Sequence, residues 1–472
     1  MAEIIVIGGG VAGLSTAMLL AGDGHRVRVL ERDDTPPPDE ATDAWTEWTR
    51  RGVNQFRMIH LFLPRFRELL EAELPAVAAG IEEDGALRFS FPAAVPESVS
   101  GGTTTEDERF TMLTGRRPIV ESVLARTAAA TPGVEVLRGA PVAELLTGPE
   151  AVSGVPHVTG VRTEAGDELS ADLVVDAAGR RSPLPRLLEA IGAGPVGEEL
   201  EDSGFVYYGR HFRSADGTTP AVMAPLLSAY GSISILTLPA DNGTWGIGFV
   251  TSSKDAEVRG LRDPDRWSAA LREFPLVAHW GDGEPIEDGV AVMAKIEDRI
   301  RSYVRDGVPV ATGIVPVADA WACTNPSLGR GATLGLMHSV ALRDLLRRFG
   351  PDQPGALALE WDAVTRAVVE PWYRSTVDFD RHRLAEIEAT IAGKPYQPDA
   401  PSWELTNALL YGALLDPELF RGFLSVLSLL ELPEQVFARP GFMDKLIELG
   451  AGWRDAPSFG PSRERLVELV NA

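Results

Sequence analysis

The chain opens with apolar runs separated by glycines. Glu3 to Ile7 is a short apolar run, Val11 to Leu20 is a stretch of small and apolar residues, and Val27 to Leu30 is a second apolar run that ends in Glu31. This order predicts strand, tight turn, helix, turn, strand. The stretch TPPPDEATD (35–43) predicts a loop. Residues 61–81 predict a helix, and 116–139 predict a helix followed by a strand. Beyond 196 the pattern changes. Segments 204–213, 232–240 and 244–252 alternate or run rich in β-formers between Gly, Asp, Asn and Pro turns, which predicts an antiparallel sheet. Along 204–213, alternation puts Tyr207, Gly209 and His211 on one face and Tyr208, Arg210 and Phe212 on the other. One set is available to a bound molecule, and the buried set packs against a neighbouring layer.

Residues 308–346 return to strand, loop and helix, and from 351 the chain is mainly helical, most clearly at 356–377 and 417–432. The pattern therefore predicts an α/β chain with a discontinuous first domain. It comprises 1–195 (lending strands near 85–112 to a second layer), an inserted antiparallel sheet at 196–300, a completing part at 301–350 and a helical region at 351–472.

The first turn carries chemistry. Gly8, Gly10 and Gly13 stand in G-x-G-x-x-G spacing between a strand and a helix. Gly8 permits the tight turn, Gly10 lets backbone approach a pyrophosphate, and Gly13 lets the helix pack close to the sheet. Phosphates then lie at the helix N-terminus, where free N–H groups and the dipole favour negative charge. Glu31 stands about 20 residues on, where an acid accepts hydrogen bonds from a ribose.

Composition narrows the partners. In 472 residues, 44% hydrophobic and 7% aromatic, the net charge is −24, which argues against nucleic acid or an anionic membrane surface. The single cysteine, Cys323, rules out an intrachain disulfide and fits a small buried gap-filler better than a covalent cofactor link. No apolar run reaches the ~18 residues of a membrane span, and the first strand begins at once, so a cytoplasmic location is expected. The seven histidines form no ligand spacing, so no metal site is expected, and structural hydrogen bonding is the favoured role of His60 and His338. The apolar helix at 417–430 is expected to be core or lid, with membrane contact the minor alternative.

Three separated stretches share one resemblance. The glycine motif with Glu31, ADLVVDAAGRRSPLPRLL (171–188) and GIVPVADAWACTNPSLGRGATLG (313–335) resemble the three fingerprints of FAD-dependent aromatic hydroxylases and related flavoprotein monooxygenases. The branch with actinobacterial polyketide epoxidases is the most similar, through RRGVNQFRMIH (50–60). The resemblance implies a Rossmann-like, glutathione-reductase-type domain holding FAD non-covalently. It implies that Gly8, Gly10 and Gly13 line the pyrophosphate and Glu31 binds the adenosine ribose, with Arg32 and Arg51 as further contacts. Arg50 and Arg51 read equally as flavin contacts or as a solvated basic pair. Arg117, with Arg116 as neighbour, would contact FAD from the start of a helix, and Asp319 would hold the ribityl chain. Pro326, Gly329 and Gly331 would pass the isoalloxazine ring, and a helix starting at Gly331 and Ala332 would stabilise negative charge on the reduced flavin.

The activity implied is insertion of one oxygen atom from O2 into a small apolar or aromatic secondary metabolite, through a flavin hydroperoxide, as hydroxylation or epoxidation. FAD-dependent dehydrogenation, double-bond reduction, or flavin binding without turnover are the alternatives. Two departures stand out. Ala318 replaces the glycine of the third fingerprint, and Ala178 replaces an acid of the middle one, with Asp176 two residues earlier. The second leaves open whether NADPH or NADH donates directly or through a partner reductase. No stretch matches the W-x-W-x-I-P of flavin halogenases; TWGIGFV (244–250) lacks the second Trp and the Pro. No catalytic acid or base is assigned.

Overall fold

A computed structural model describes residues 1–457 and 459–472. Its core is a parallel five-stranded sheet in the spatial order Ile314–Pro316, Leu173–Asp176, Glu3–Ile7, Arg26–Glu31, Val134–Arg138. The chain runs outward from Glu3–Ile7 in one direction for three strands, then crosses to the other side for two. The C-terminal ends of Glu3–Ile7 and Leu173–Asp176 therefore flank a topological switch point, the place where open α/β sheets bind ligands. Helix Val11–Gly22 packs between this sheet and helix Gly331–Leu346, where Thr16 Oγ1 donates to Ser339 Oγ at 2.8 Å.

The inserted layer is present as expected. Strands Leu227–Tyr230, Ile233–Pro239, Thr244–Ser252, Phe205–Arg213 and Glu284–Pro285 form an antiparallel sheet, and Ala291–Met293 also pairs with Phe205–Arg213. Both faces of Phe205–Arg213 are buried. Tyr208 and Phe212 pack with Phe249 and Trp267 against helix Pro264–Leu271. Tyr207 packs with Met58, Ile296 and Ile387, toward the other layers. Gly209, Gly246 and Gly248 leave a shallow trough on that face, which Ile59 fills. The strands near 85–112 appear as a short pair, Arg88–Ser90 with Thr111–Leu113.

Prolines break two stretches that the apolar pattern reads as single helices. Residues 61–81 form Pro64–Glu73 and Pro75–Glu83, because Pro75 has no N–H to donate and holds Leu74 off helical geometry (φ −136°, ψ 56°). Likewise 356–377 divides into Pro354–Val368 and Glu370–Ile391, with Pro371 in the first turn of the second helix. Residues 417–432 form helix only over Pro417–Leu427. Besides the two-stranded pair Val304–Arg305 with Val308–Pro309, two three-stranded sheets lie outside the expected plan. One is Val142–Val152, Val155–Thr163 and Glu168–Ser170; the other joins Gly197–Asp202, Glu297–Ser302 and Ala322–Cys323, bridging the inserted and completing segments.

The joint between strand Ile314–Pro316 and helix Gly331–Leu346 is strained at one point. Ala318 has φ +52°, a left-handed conformation that costs a residue with a Cβ about 1–2 kcal/mol. This explains why glycine suits the position. His338 holds Ala318 in place, since its Nδ1 accepts the Ala318 N–H at 3.0 Å. Its Nε2–H then donates to Thr365 Oγ1 at 2.9 Å, and the ring stacks on Trp361 with centroids 4.4 Å apart. Burial lowers the His338 pKa to about 3, so the ring is neutral, as a structural histidine should be. Replacing His338 with Leu orphans the Ala318 N–H and should cost about 1–3 kcal/mol at pH 7. In the unfolded chain the imidazole takes up a proton below its ordinary value of about 6.5, whereas the folded ring does not. Wild-type stability therefore falls with acidification in a way the variant's does not. Denaturation of both proteins at pH 7 and pH 5 should show the deficit narrowing; a constant deficit contradicts the assignment.

Candidate cofactor-binding site

The three glycines of the first turn do different work. A Cβ on Gly13 would lie 1.9 Å from the Gly8 carbonyl oxygen, and one on Gly8, at φ +106°, would lie 2.5 Å from the Ala177 oxygen. Packing alone demands both. Gly10 differs, because a Cβ there meets nothing within 4 Å. Its φ of −90° is open to any residue, and it caps Val11–Gly22 with no side chain, leaving first-turn N–H groups aimed at that space. This is a cradle for an anion at the switch point.

Glu31 closes one side of the cradle. Its Oε2 accepts the Gly9 N–H at 2.8 Å and Arg50 Nη2 at 2.7 Å, while Oε1 accepts the Asp33 N–H at 2.9 Å. A carboxylate offers about four lone-pair sites, so Oε1 retains one for a hydroxyl. The donor set therefore fits the adenosine ribose and pyrophosphate of a dinucleotide.

Arg50 is the hub of this wall. Besides Glu31 it bonds Glu121 Oε2 at 2.8 Å, Asp33 Oδ2 at 3.2 Å and the Gly9 carbonyl at 3.2 Å. Burial opposes its charge, but Glu121, Glu31 and Asp33 outweigh burial and raise its pKa. Glu121 Oε1 in turn accepts Arg117 Nε at 2.5 Å. Arg117 donates onward to His60 Nε2 at 3.2 Å, while His60 Nδ1–H donates to the Met58 carbonyl at 2.9 Å. Burial and then the Arg117 charge lower the His60 pKa to about 3, leaving a neutral ring with both nitrogens engaged.

On the far side, Asp319 and Gly331 line one cleft with Thr324, Leu334 and Tyr373. Burial raises the Asp319 pKa against the pull of Arg117 and Arg180. A Cβ on Gly331 meets nothing within 4 Å, and the helix it opens has no side-chain cap and no acid in its first turn, leaving a second free, positive helix end. Ala332 is half-buried beside it, and Pro326 is exposed. Gly329, at φ +65°, packs against Leu61.

The fold thus gathers Gly8, Gly10, Gly13, Glu31, Arg117, Asp319 and Gly331 around the switch point. Arg32 and Arg51 lie outside the buried wall. Both are exposed, and the Arg32 guanidinium rests against Gly52. Of the Arg50–Arg51 pair, Arg50 is the buried member. Arg116 turns away to Asp241, which it meets at 2.6 Å. Asp176, at the site of the altered middle fingerprint, holds its own loop by accepting the Ser182 hydroxyl and the Ala178 N–H, and burial raises its pKa to about 6. Cys323 is buried with its thiol pKa pushed up to about 12, mainly by burial, as suits a gap-filler. Glu121 and Asp33 are functional neighbours that sequence reasoning missed; the i,i+4 spacing of Arg117 and Glu121 was the available signal.

Comparison with known proteins bears on the fold and on the cofactor family. Residues 3–108 match the FAD dependent oxidoreductase family. The chain is 29% identical over 457 residues to Protein Rv3254 of Mycobacterium tuberculosis, covering 90% of this chain and 89% of that one. It is 24% identical over 360 residues to squalene epoxidase 1 of Arabidopsis thaliana, covering 74% of this chain and 60% of that one. Among solved structures, a PqsL mutant from Pseudomonas aeruginosa superposes with a TM-score of 0.59 at 17% identity, covering 83% of this chain and 97% of PqsL. OxyS anhydrotetracycline hydroxylase from Streptomyces rimosus superposes with a TM-score of 0.58 at 21% identity, covering 91% and 76%.

Two outcomes test the wall and the cradle. Gly13→Ala should unfold well below the wild-type temperature, while Gly10→Ala should melt within a few degrees of wild type yet retain less flavin after purification. Equal melting of the two variants contradicts the division of roles. Arg50→Met leaves Glu31 and Asp33 without a cation and Glu121 with Arg117 alone, and should cost about 3–5 kcal/mol in urea denaturation; a loss below about 1 kcal/mol contradicts the hub. By matched segment and by architecture, the chain carries an FAD-dependent oxidoreductase domain in the fold that PqsL and OxyS share.

Proposed function

We propose that the protein is an FAD-dependent monooxygenase that places one oxygen atom of O2 on a small, apolar or aromatic organic molecule. The observation that carries this reading is the pairing of two open helix ends, at Gly10 and Gly331, with an inserted antiparallel sheet that Tyr207 ties to Asn325, in the loop before the second. FAD, when bound, supplies the redox chemistry with oxygen. The chain's own residues bind and shield it. The Val11–Gly22 N-terminus and Glu31 would hold the pyrophosphate and adenosine ribose, Asp319 and Arg117 would hold the ribityl chain, and the Gly331–Leu346 N-terminus would favour negative charge on the reduced flavin. Met58 and Ile59 pack from outside onto the sheet face that carries Tyr207 and Gly209, an apolar seam that would help exclude water from the flavin's surroundings. The names of the relatives, a squalene epoxidase and an anhydrotetracycline hydroxylase, support a bulky apolar substrate class.

Electrons reach the flavin from NADPH or NADH, directly or through a partner reductase. Asp176 is committed to its own loop, and Ala178 offers no acid in its place, which favours testing both routes. The FAD-loaded protein should be reduced anaerobically with NADPH, or with NADPH plus a flavin reductase. It is then exposed to 18O2 with a panel of polycyclic phenols and isoprenoids. One labelled oxygen per product molecule is expected. Oxidised product without label contradicts the monooxygenase and indicates a dehydrogenase.

A further inference from the structure

Behind the loop that would pass the flavin ring lies a buried polar cluster that none of the roles above uses. Asn325, 1% exposed, begins the loop. Its Oδ1 accepts the Tyr207 hydroxyl at 2.8 Å from the inserted sheet, and its N–H donates to Asp298 Oδ1 at 2.6 Å on strand Glu297–Ser302. Two residues on, the Ser327 hydroxyl donates to Asp380 Oδ1 at 2.5 Å, on helix Glu370–Ile391. Arg330, the residue before Gly331, donates to Thr376 Oγ1 at 2.9 Å, one turn before Asp380 on that same helix. A helix from the C-terminal region therefore grips both ends of the loop.

The grip is incomplete in a specific way. Among the described residues, Asp380 Oδ2, Asn325 Nδ2 and Arg330 Nε have no hydrogen-bond partner, although Asp380 is 3% and Arg330 4% exposed. Leaving a buried polar atom unpaired is costly. A helix tie needed only for stability would be better built from apolar side chains. Two free donors and one free carboxyl oxygen instead suit an arrangement that changes with the charge on Asp380.

We propose that Asp380 is a positioning residue for the 325–331 loop, acting through Ser327 and Asn325 so that its proton state sets how the loop meets the cofactor ring. The inference rests on the FAD reading above. Asp380 faces Arg330 from the loop, Asp298 from the neighbouring strand and Tyr207 from the sheet. Burial raises its pKa to about 8; Ser327, Asn325 and Arg330 pull it down and Asp298 pushes it up. Asp298 is itself raised to about 6, chiefly by burial, Arg330 is lowered to about 10 by burial, and the Tyr207 hydroxyl is held well above its ordinary range by burial. Asp380 is thus the member of this set that changes charge in mildly alkaline solution. When its proton leaves to solvent, Oδ2 becomes a charged acceptor for Asn325 Nδ2–H and Arg330 Nε–H. A negative charge then appears behind the positive end of helix Gly331–Leu346.

The test uses the full chain loaded with FAD, with flavin uptake measured first. The visible absorbance of the bound oxidised flavin is followed from pH 6 to pH 10. Wild type should show a spectral step with a midpoint near 8, and Asp380→Asn should bind FAD and lack the step. Ser327→Ala removes a bond that favours the carboxylate and should move the midpoint to higher pH. An Asp380→Asn holoprotein that keeps the step, or a flavin-loaded wild type with no step, overturns the proposal. If Asp380→Asn fails to fold, Ser327→Ala decides, and an unmoved midpoint overturns it. A chain that takes up no FAD overturns the cofactor reading itself, and this inference with it.

Discussion

The site depends on one buried cation among three acids. The Arg50 side chain is 3% exposed and touches Glu31, Asp33 and Glu121, of which Glu121 is fully buried. Three carboxylates beside an open helix N-terminus would repel an anionic ligand and each other. Arg50 cancels part of that charge, turns Glu31 so that one lone pair faces the cradle, and ties the glycine loop to helix Arg117–Ala130 through Glu121. Arg117, on the other oxygen of Glu121, carries the same network toward Asp319. Charge-assisted hydrogen bonds, the stronger kind, thus run from Glu31 through Arg50 and Glu121 to Arg117, whose charge reaches Asp319 at the other end of the site.

Around that charged wall, several buried groups are kept neutral. His60 and His338 sit near pKa 3, Cys323 near 12, and Asp380 near 8, all mainly through burial. A low-dielectric surrounding strengthens the few charges that remain, those of Arg117 and the open helix end at Gly331. Such surroundings would let a helix dipole act on a bound flavin.

The parts legible in the sequence were those whose signal is local. Gly8, Gly10, Gly13 and Glu31 lie in one strand–helix–strand unit, so spacing alone located them, and the β-rich stretch at 196–300 announced a separate sheet. Helix breaks at Pro75 and Pro371 carried a local signal that the apolar pattern overrode. Long-range pairings were not legible. Arg50 and Arg51 are adjacent and chemically identical, and only the path of the chain buries the first beside Glu31 and leaves the second in solvent. Asp380 lies 53 residues from Ser327, on a helix whose sequence gives no hint of which loop it faces. Ala318 read as a departure from a glycine, and the fold explains it as a strained residue held by His338.

The most direct test of this account asks whether both halves of the dinucleotide are held. The purified, flavin-free protein should be titrated with FAD and with FMN, following quenching of flavin fluorescence. A cradle at Gly10 with a free Glu31 lone pair binds the adenosine half, so FAD should bind on the order of a hundredfold or more tightly than FMN, about 2.7 kcal/mol. Equal affinity for the two flavins would contradict the assignment of the glycine loop and Glu31, and with it the central claim that this fold is organised around FAD.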